Sequence, residues 1–454
     1  MNRHQTRIGW WQGFLLATIL FLLSSVGRTL AADSKPADSP PAAKFTITMS
    51  NWQQYQQYMD DGTKALFRGD HFFQLPPEVQ INVGPTIPIA LPKVYREATE
   101  KYSSQVQLKE VSPGVYQPVP YVAGMPFPNP FAGSNDPLIV GQKIYWNTYY
   151  RAQPHTDYAP NCTDIVDQYG NMTRTADTNI VFSVMQHEAE PGYPLTDPNN
   201  GGYYRTFYGE QVAPEQGKYS TSMSITPQDP LAAEELYAYV PSLRRSLRLT
   251  QAARCAPLFG SDFTFDDEFP PTMPQLFDIK YVKTMKFLFL IHQNIHAYDT
   301  CGGTTQVSTE WNYAAGPHRI NFPKPDAGDW ELRDTYVLDF KRKPQFQRGY
   351  CYGDRQMYVD RDTYFPLAFD IWDTAGKLYK AIEIFNLPLP VPGQPGDEIL
   401  TLGIAYGFAA NFLDEHGTIF TGRQPICLDH ECDSRGFSNI DRYALPDGLM
   451  KIMQ

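Results

Sequence analysis

The sequence predicts a mainly β protein of the α+β type, in which a large antiparallel sheet carries apolar residues on both faces beneath a few covering helices. Three observations lead there. Between Asp334 and Phe385, short segments with period-two patterning alternate with turn clusters rich in Asp, Thr and Gly, the pattern of an antiparallel meander. Neither face of that meander is polar throughout: Tyr336, Leu338 and Phe340 oppose Val337, Met357 and Val359 oppose Tyr358, and Leu378, Ile382 and Ile384 oppose Tyr379 and Phe385. Apolar surface of that extent is unusual on a soluble monomer, so both faces need a cover. Finally, 39 prolines and 32 glycines supply the breaks that keep segments short.

From the N-terminus, Arg3 and Arg7 precede an apolar run from Gly13 to Val26, and Thr29, Ala31 and Ala32 offer small residues for cleavage. Residues 1–32 therefore read as an export signal peptide, because the run falls short of the ~20 residues a bilayer span needs. Residues 33–45 form a Pro/Ala/Asp tether without the apolar content to bury a core. Residues 46–454 are expected to form a single large β-rich domain. Asn51 is placed to cap a helix carrying Trp52, Tyr55 and Met59 and ending near Gly62 or Gly69. Helical spacing predicts further helices over Lys93–Tyr102 and over Asp136 to Tyr150. Five prolines between residues 118 and 130 forbid a central strand there.

Beyond Thr163 the chain reads as strands and loops. Glu235–Val240 and Leu243–Leu249 form a predicted hairpin, with Arg244, Ser246 and Arg248 on one face of its second arm. Tyr281–Ile291 is the longest strand signal. There Met285, Phe287, Phe289 and Ile291 alternate with Val282, Leu288 and Leu290, which predicts burial on both sides. The meander follows, with strands at Arg355–Asp360, Leu367–Trp372 and Lys377–Phe385. The last fourteen residues, from Asp441, read as a short terminal helix.

A net charge of −11, more negative once Arg3, Arg7 and Arg28 leave with the leader, argues against nucleic acid or an anionic membrane surface as the main partner. Six cysteines, Cys162, Cys255, Cys301, Cys351, Cys427 and Cys432, are an even number in an exported chain, which favours disulfides over metal or redox chemistry. Of the fifteen possible pairings, the short spacing makes Cys427 with Cys432 the first expected. Catalytic constellations are weak. His292 and His296 have i,i+4 spacing but no following Glu, and CLDHEC in an oxidising compartment is a disulfide loop before it is a zinc site. His187-Glu188-Ala189-Glu190 and the pair Asp266-Asp267 could serve a glycosidase, but among 49 acidic residues such groupings arise by chance. No metal or cofactor is expected.

A resemblance attaches to an ordered set of motifs: YVAGMPFPNP (Tyr121–Pro130), DPLIVGQKIYWNTYYR (Asp136–Arg151), LYAYVPSLRRSLRL (Leu236–Leu249) and FDIKYVKTMKFLFLIH (Phe277–His292), followed by two stretches, Trp330–Lys343 and Gly353–Lys380. On these the chain resembles domain-of-unknown-function family 1329 (DUF1329), a group of bacterial exported proteins described as outer-membrane lipoprotein-sorting-like. The resemblance implies a lipoprotein-carrier-like half barrel: a curved, incompletely closed antiparallel sheet that holds a lipid or other hydrophobic molecule. It further implies a periplasmic location, with possible outer-membrane association, and work beside a resistance-nodulation-type exporter and an outer-membrane protein. The alternatives are a secreted hydrolase, such as a glycosidase, and a structural envelope protein.

Within that picture, Met285, Phe287, Phe289 and Ile291 are assigned to the ligand-lining face, because Met and Phe suit flexible hydrophobic chains. Tyr336, Leu338 and Phe340 are placed beside them. Val282, Leu288 and Leu290 are assigned to the helix-packed side. Arg244 and Arg248 are expected to form a cationic rim for an anionic head group.

Overall fold

In a computed structural model, the described residues are 45–69, 71–267, 270–293, 311–423 and 426–452. The expected signal peptide, nearly all of the tether, His296 and Cys301 lie outside them. Two small hairpins come first: β1 (Phe45–Thr48) pairs with β2 (Gln80–Val83), and β3 (Gln107–Ser112) with β4 (Val115–Val119). The main sheet then takes β5 (Thr156–Tyr158), β6 (Asn161–Val166), β7 (Met172–Val184), β8 (Tyr203–Ala213), β9 (Thr221–Pro227), β10 (Glu235–Val240), β11 (Arg245–Leu249) and β12 (Phe277–Phe289). A third two-stranded piece, β13 (Asn312–Tyr313) with β14 (Phe322–Pro323), precedes β15 (Glu331–Arg342), β16 (Asp354–Asp360), β17 (Pro366–Trp372), β18 (Leu378–Pro390), β19 (Glu398–Asn411), β20 (His416–Gly422) and β21 (Cys427–Leu428).

The main sheet is antiparallel, curved and not closed. Its strand order is β11-β10-β9-β8-β7-β6-β20-β19-β18-β17-β16-β15-β12, with β5 and β21 attached beside β7. Most neighbours are consecutive strands, as a meander requires. The join between β6 and β20 brings the two halves of the chain side by side, so the edges of the sheet are β11 and β12, strands that follow one another in sequence. Register shifts at Thr163/Asp164, Tyr281/Lys283, Tyr358/Val359 and Phe385/Asn386 mark bulges, each of which bends its strand and adds twist.

Both faces are covered. The row Leu338–Met357–Phe369–Ile382 runs from β15 to β18 on one face, and α3 (Pro137–Tyr149) lies on it with Tyr145, Trp146 and Tyr149 fully buried. Asp136 caps α3 by accepting from the Leu138 N–H, and Pro137 fits the first turn, where no N–H is needed. On the other face the row Val337–Tyr358–Ala368–Glu383–Phe408 belongs to a second core, closed by the first hairpin and α1 (Asp61–Arg68). Gly62 permits α1 to approach β18, since a Cβ there would stand 2.2 Å from that of Ala381. Helix α2 is Lys93–Tyr102, as its periodicity predicts.

Several expectations are corrected. Asn51 caps no helix: its side chain accepts from the Thr48 N–H, two 3-10 turns follow, and α1 begins only after Asp60 accepts from the Thr63 N–H. Gly69, at φ 65°, ends it. Leu243 and Arg244 belong to the turn before β11, with Arg244 at φ 49°, so Arg244 is not on a strand. The C-terminus forms a short helix, Ile440–Tyr443, and a separate 3-10 segment, Pro446–Lys451, because Pro446 cannot extend the helix. The largest correction concerns β12. Its bulge at Val282 changes the alternation, so Ile279 and Tyr281 pair with Phe340 and Leu338, whereas Met285, Phe287 and Phe289 pair with Thr335, Arg333 and Glu331. Phe287 and its set therefore lie on the opposite face from Tyr336, Leu338 and Phe340. As an edge strand, β12 also exposes Lys280, Val282, Lys283 and Lys286, so its first half is not buried on both sides.

Candidate functional site: an apolar cavity under a strap

The segment 250–276 leaves one edge of the sheet at β11 and returns at the other as β12. It therefore has to cross the sheet, and it does so on the face that carries α3. Four attachments fix it. Cys255 is disulfide-bonded to Cys351 in the turn between β15 and β16. Arg254, almost fully buried, donates to Asp266 Oδ1 (2.7 Å), Thr272 Oγ1 (3.1 Å) and the Phe265 carbonyl (3.2 Å), and also pairs with Glu234 beside β10. Asp262 accepts from Asn411 Nδ2 and Thr418 Oγ1, each at 2.8 Å, and lies 2.9 Å from His416 Nδ1, while Lys380 Nζ donates to its carbonyl at 2.7 Å. Asp267 accepts from the Tyr352 hydroxyl (2.7 Å) and the Thr264 N–H (2.9 Å).

These contacts tune the acids and bases they join. Burial pushes the Asp266 carboxyl up, but the guanidiniums of Arg254 and Arg355 outweigh it and hold the group below the usual carboxylate range. The Asp262 hydrogen bond raises His416 above its ordinary value. Asp266 and Asp267, candidates for a carboxylate pair, are thus both engaged in fastening the strap.

Between its attachments the strap presents Leu258, Phe259, Phe263 and Phe265 to the sheet. Facing them are Ile180 and Phe182 of β7, Phe207 of β8, Phe420 of β20 and Ile384 of β18. They line a cavity of about 140 Å³ that is partly open to solvent. The pairing row Ile384–Gly407–Phe420–Thr163 continues the α3 face, so the sheet surface that α3 fills over β15–β18 is left open under the strap over β6–β9. Asn161, Thr163, Thr178, Ser224, Ser261 and Thr264 complete the wall. Phe182 and Phe207 sit at 5.3 Å between ring centroids, and Phe263 meets Phe420 edge-on at 4.3 Å. Incompletely buried aromatic side chains, here Phe182, Phe207, Phe259 and Phe263, gathered around unfilled space are what distinguish a ligand cavity from a packed core.

None of the sequence-assigned lining residues borders this cavity. Tyr336, Leu338 and Phe340 occupy the correct face but are roofed by α3, with Phe340 6.1 Å from the Tyr145 ring. Phe287 is 1% exposed on the other face and stacks on Tyr358 at 4.8 Å. Met285, Phe289 and Ile291 belong to that core as well, as do Leu288 and Leu290. Arg248, its side chain 65% exposed, pairs with Glu235 at 3.2 Å on the edge strand, and Arg244 is exposed in the turn before it. Neither forms a rim, since β10 separates β11 from the nearest lining strand, β9. The strap residues were missed, although the run from Leu258 to Phe265 places three phenylalanines among Gly, Ser, Asp and Thr, where an ordinary loop would be polar.

The other candidates resolve as follows. Cys427 is bonded to Cys432, so CLDHEC is a disulfide loop, and Cys162 is disulfide-bonded too. His292 Nδ1 lies 2.5 Å from Glu331 Oε1. Glu188, Glu190 and Asp429 are gathered near a polar void of about 20 Å³, room for about one water. Burial and the neighbouring negative charge of Asp429 raise Glu190 to about 7, burial raises Asp429 to about 6, and Glu188 is pushed well above the carboxylate range by burial first. Among the described residues no cluster of His, Cys, Asp and Glu could hold a metal ion, and no helix is long and apolar enough to cross a membrane.

The family described as a protein of unknown function, DUF1329, matches residues 46–407. The chain belongs to the DUF1329 family. The match takes in α3, the strap, the sheet as far as β19 and the cavity wall except Phe420, and ends before β20. Among solved structures, the chain is similar to a putative outer-membrane lipoprotein-sorting protein domain from Vibrio parahaemolyticus, at 12% identity and a TM-score of 0.43, over 65% of this chain and 95% of that one. It is similar to a DUF1329 family protein from Desulfovibrio piger at 12% identity and a TM-score of 0.44, with the same coverage of 65% and 95%. A LolA superfamily protein from Nitrosomonas europaea matches at 10% identity and a TM-score of 0.35, over 63% of this chain and 93% of that one. No curated protein matches.

Proposed function

We propose that this protein is a periplasmic carrier that binds a hydrophobic molecule in the cavity between strap and sheet and serves an envelope transport route. The observation that carries the reading is the cavity itself. A fold that buries large aromatic cores on both faces of its sheet leaves Phe182, Phe207, Phe259 and Phe263 around open space, under a segment held in place covalently and by ion pairs. Apolar walls that water fills poorly are an affinity for apolar matter. The leader-like residues 1–32 and the disulfides fit an exported protein. A hydrolase has no comparable support, because the acids of the strap are tied up in its attachments.

Native mass spectrometry of protein released gently from the periplasm, with organic extraction of the bound fraction, tests the reading. A carrier emerges partly loaded with a hydrophobic species. Protein that is uniformly empty, and that takes up no apolar compound when offered one, contradicts it. Whether an exporter and an outer-membrane protein are its partners is tested by co-purification after cross-linking in cells.

A further inference from the structure

We propose that the cavity accepts one uncharged apolar group, a single ring or a single short hydrocarbon chain, and that Phe259 and Gly209 set its depth. The proposal rests on the carrier reading and adds the class of ligand to it. Size is the first argument. The cavity measures about 140 Å³, on the scale of an engineered apolar cavity of ~150 Å³ that takes benzene or xenon. A lipid with two or three acyl chains could place only one of them inside, the rest staying beyond the open mouth, unless the strap lifts, and its attachments through Cys255 and Asp262 oppose that.

Charge is the second argument. Asp267 is the one ionisable side chain of the wall, and its carboxylate already accepts from Tyr352 and Thr264. The wall offers no Lys, Arg or His to an anionic head group, the nearby Lys380 ammonium being engaged with Asp267 at 3.7 Å and the Asp262 carbonyl at 2.7 Å, and an unpaired charge is costly to bury. Asn161 and Thr178 hydrogen-bond to each other. Ser261 Oγ accepts from the Phe263 N–H at 3.1 Å, which leaves the hydroxyls of Thr163 and Ser224 to meet one hydroxyl or ether oxygen of a ligand.

Depth is the third. Phe259 is held at φ 51°, a conformation bulky residues rarely adopt. Its ring lies over β8 at Gly209, where a Cβ would come within 2.9 Å of Phe207 Cζ and 3.3 Å of the Phe259 ring. A glycine at this position lets both rings settle onto the sheet. The roof height over β7 and β8 thus follows from one glycine below and one phenylalanine above.

Calorimetric titration with n-alkanols from butanol to dodecanol, with benzene, and with dodecanoate tests the proposal, alongside vesicles of a diacyl phospholipid. Affinity for the alcohols should rise about fourfold per methylene and then level off at a limiting chain length. Dodecanoate should bind at least tenfold more weakly than dodecanol. Phe259→Ala should move the limit to longer chains and Gly209→Ala, by lifting the Phe207 and Phe259 rings off the sheet, should shift it too, with Phe259→Leu, a milder change, moving it part of the way if Phe259→Ala does not fold. A limit unmoved by these variants, or dodecanoate binding as tightly as dodecanol, overturns the proposal. Extraction of diacyl lipid from vesicles by a wild type that ignores the alcohols also overturns it but leaves the carrier reading standing. Failure to bind any of these compounds sinks both.

Discussion

Arg254→Met removes the cation at the start of the strap while keeping much of the side-chain volume. The side chains of Arg254 and both of its acidic partners, Glu234 and Asp266, are at most 4% exposed in the ion pairs they form. The variant leaves two carboxylates out of water, with Asp266 retaining the Tyr350 hydroxyl and Arg355 and Glu234 retaining Thr272 Oγ1. Breaking a buried pair by removing one partner costs about 3–5 kcal/mol. The expected loss sits toward the lower end, because Arg355 remains beside Asp266. The sign of the pH dependence follows from linkage. Asp266 is held low in the native protein, so it contributes stability that is present above its unfolded pKa and lost as pH falls through the folded one. Without Arg254 the burial that already pushes Asp266 up is less opposed, so the variant recovers stability as acid protonates that carboxylate. Urea unfolding of wild type and variant at pH 7.5 and pH 5 measures both quantities. A loss below about 1 kcal/mol at pH 7.5, outside the range for broken buried pairs, or a loss that grows on acidification would refute the reasoning.

Phe287→Ala should cost about 3–5 kcal/mol, as for a fully buried phenylalanine, without changing ligand uptake; denaturant unfolding and ligand titration check the two halves. Glu190, raised to about 7, keeps a proton in the folded protein that the unfolded chain has lost, so its contribution destabilises above that pH and relents as pH falls toward 4.5. Melting temperature should therefore decline from pH 5 to pH 8, with Glu190→Gln more stable than wild type at pH 8 and less pH-sensitive, whereas an unchanged slope would contradict the assignment. The Cys255–Cys351 disulfide spans 96 residues and Cys427–Cys432 spans 5, so by chain entropy their paired Cys→Ser variants should lose about 4–5 and about 2 kcal/mol respectively. Urea midpoints in the reverse order would show that strain or residual structure dominates.

Much of the fold was legible because alternation and turn chemistry are local. The meander from Asp334 to Phe385, the first arm of the β10–β11 hairpin, α2 and α3 all lie where their patterns put them, and the second arm does so from Arg245 onward. What could not be read is long-range. A single extra residue at Val282 reverses which side chains of β12 share a face with β15, and nothing in the apolar run Met285–Ile291 announces it. Exposure along Lys280–Lys286 follows from β12 being an edge, a fact of topology. The join of β6 to β20 brings together residues more than 250 positions apart, so the open half of the sheet depends on pairing no sequence window contains. The cavity was missed for the same reason: its wall combines Ile180, Phe207, Phe263 and Phe420, and the preference for the bulkiest strand pointed to a packed core. At Leu258–Phe265 the aromatic residues in a loop were a usable signal.

Photolabelling with an uncharged alkanol carrying a diazirine, followed by peptide mapping, tests most directly whether the strap and the sheet hold the ligand between them. The account predicts label on Leu258–Phe265 and on the β7 and β8 peptides bearing Phe182 and Phe207, competed away by unlabelled alkanol. Label concentrated on the peptides of Phe287 or Tyr336, or spread over the surface and indifferent to competitor, would contradict it.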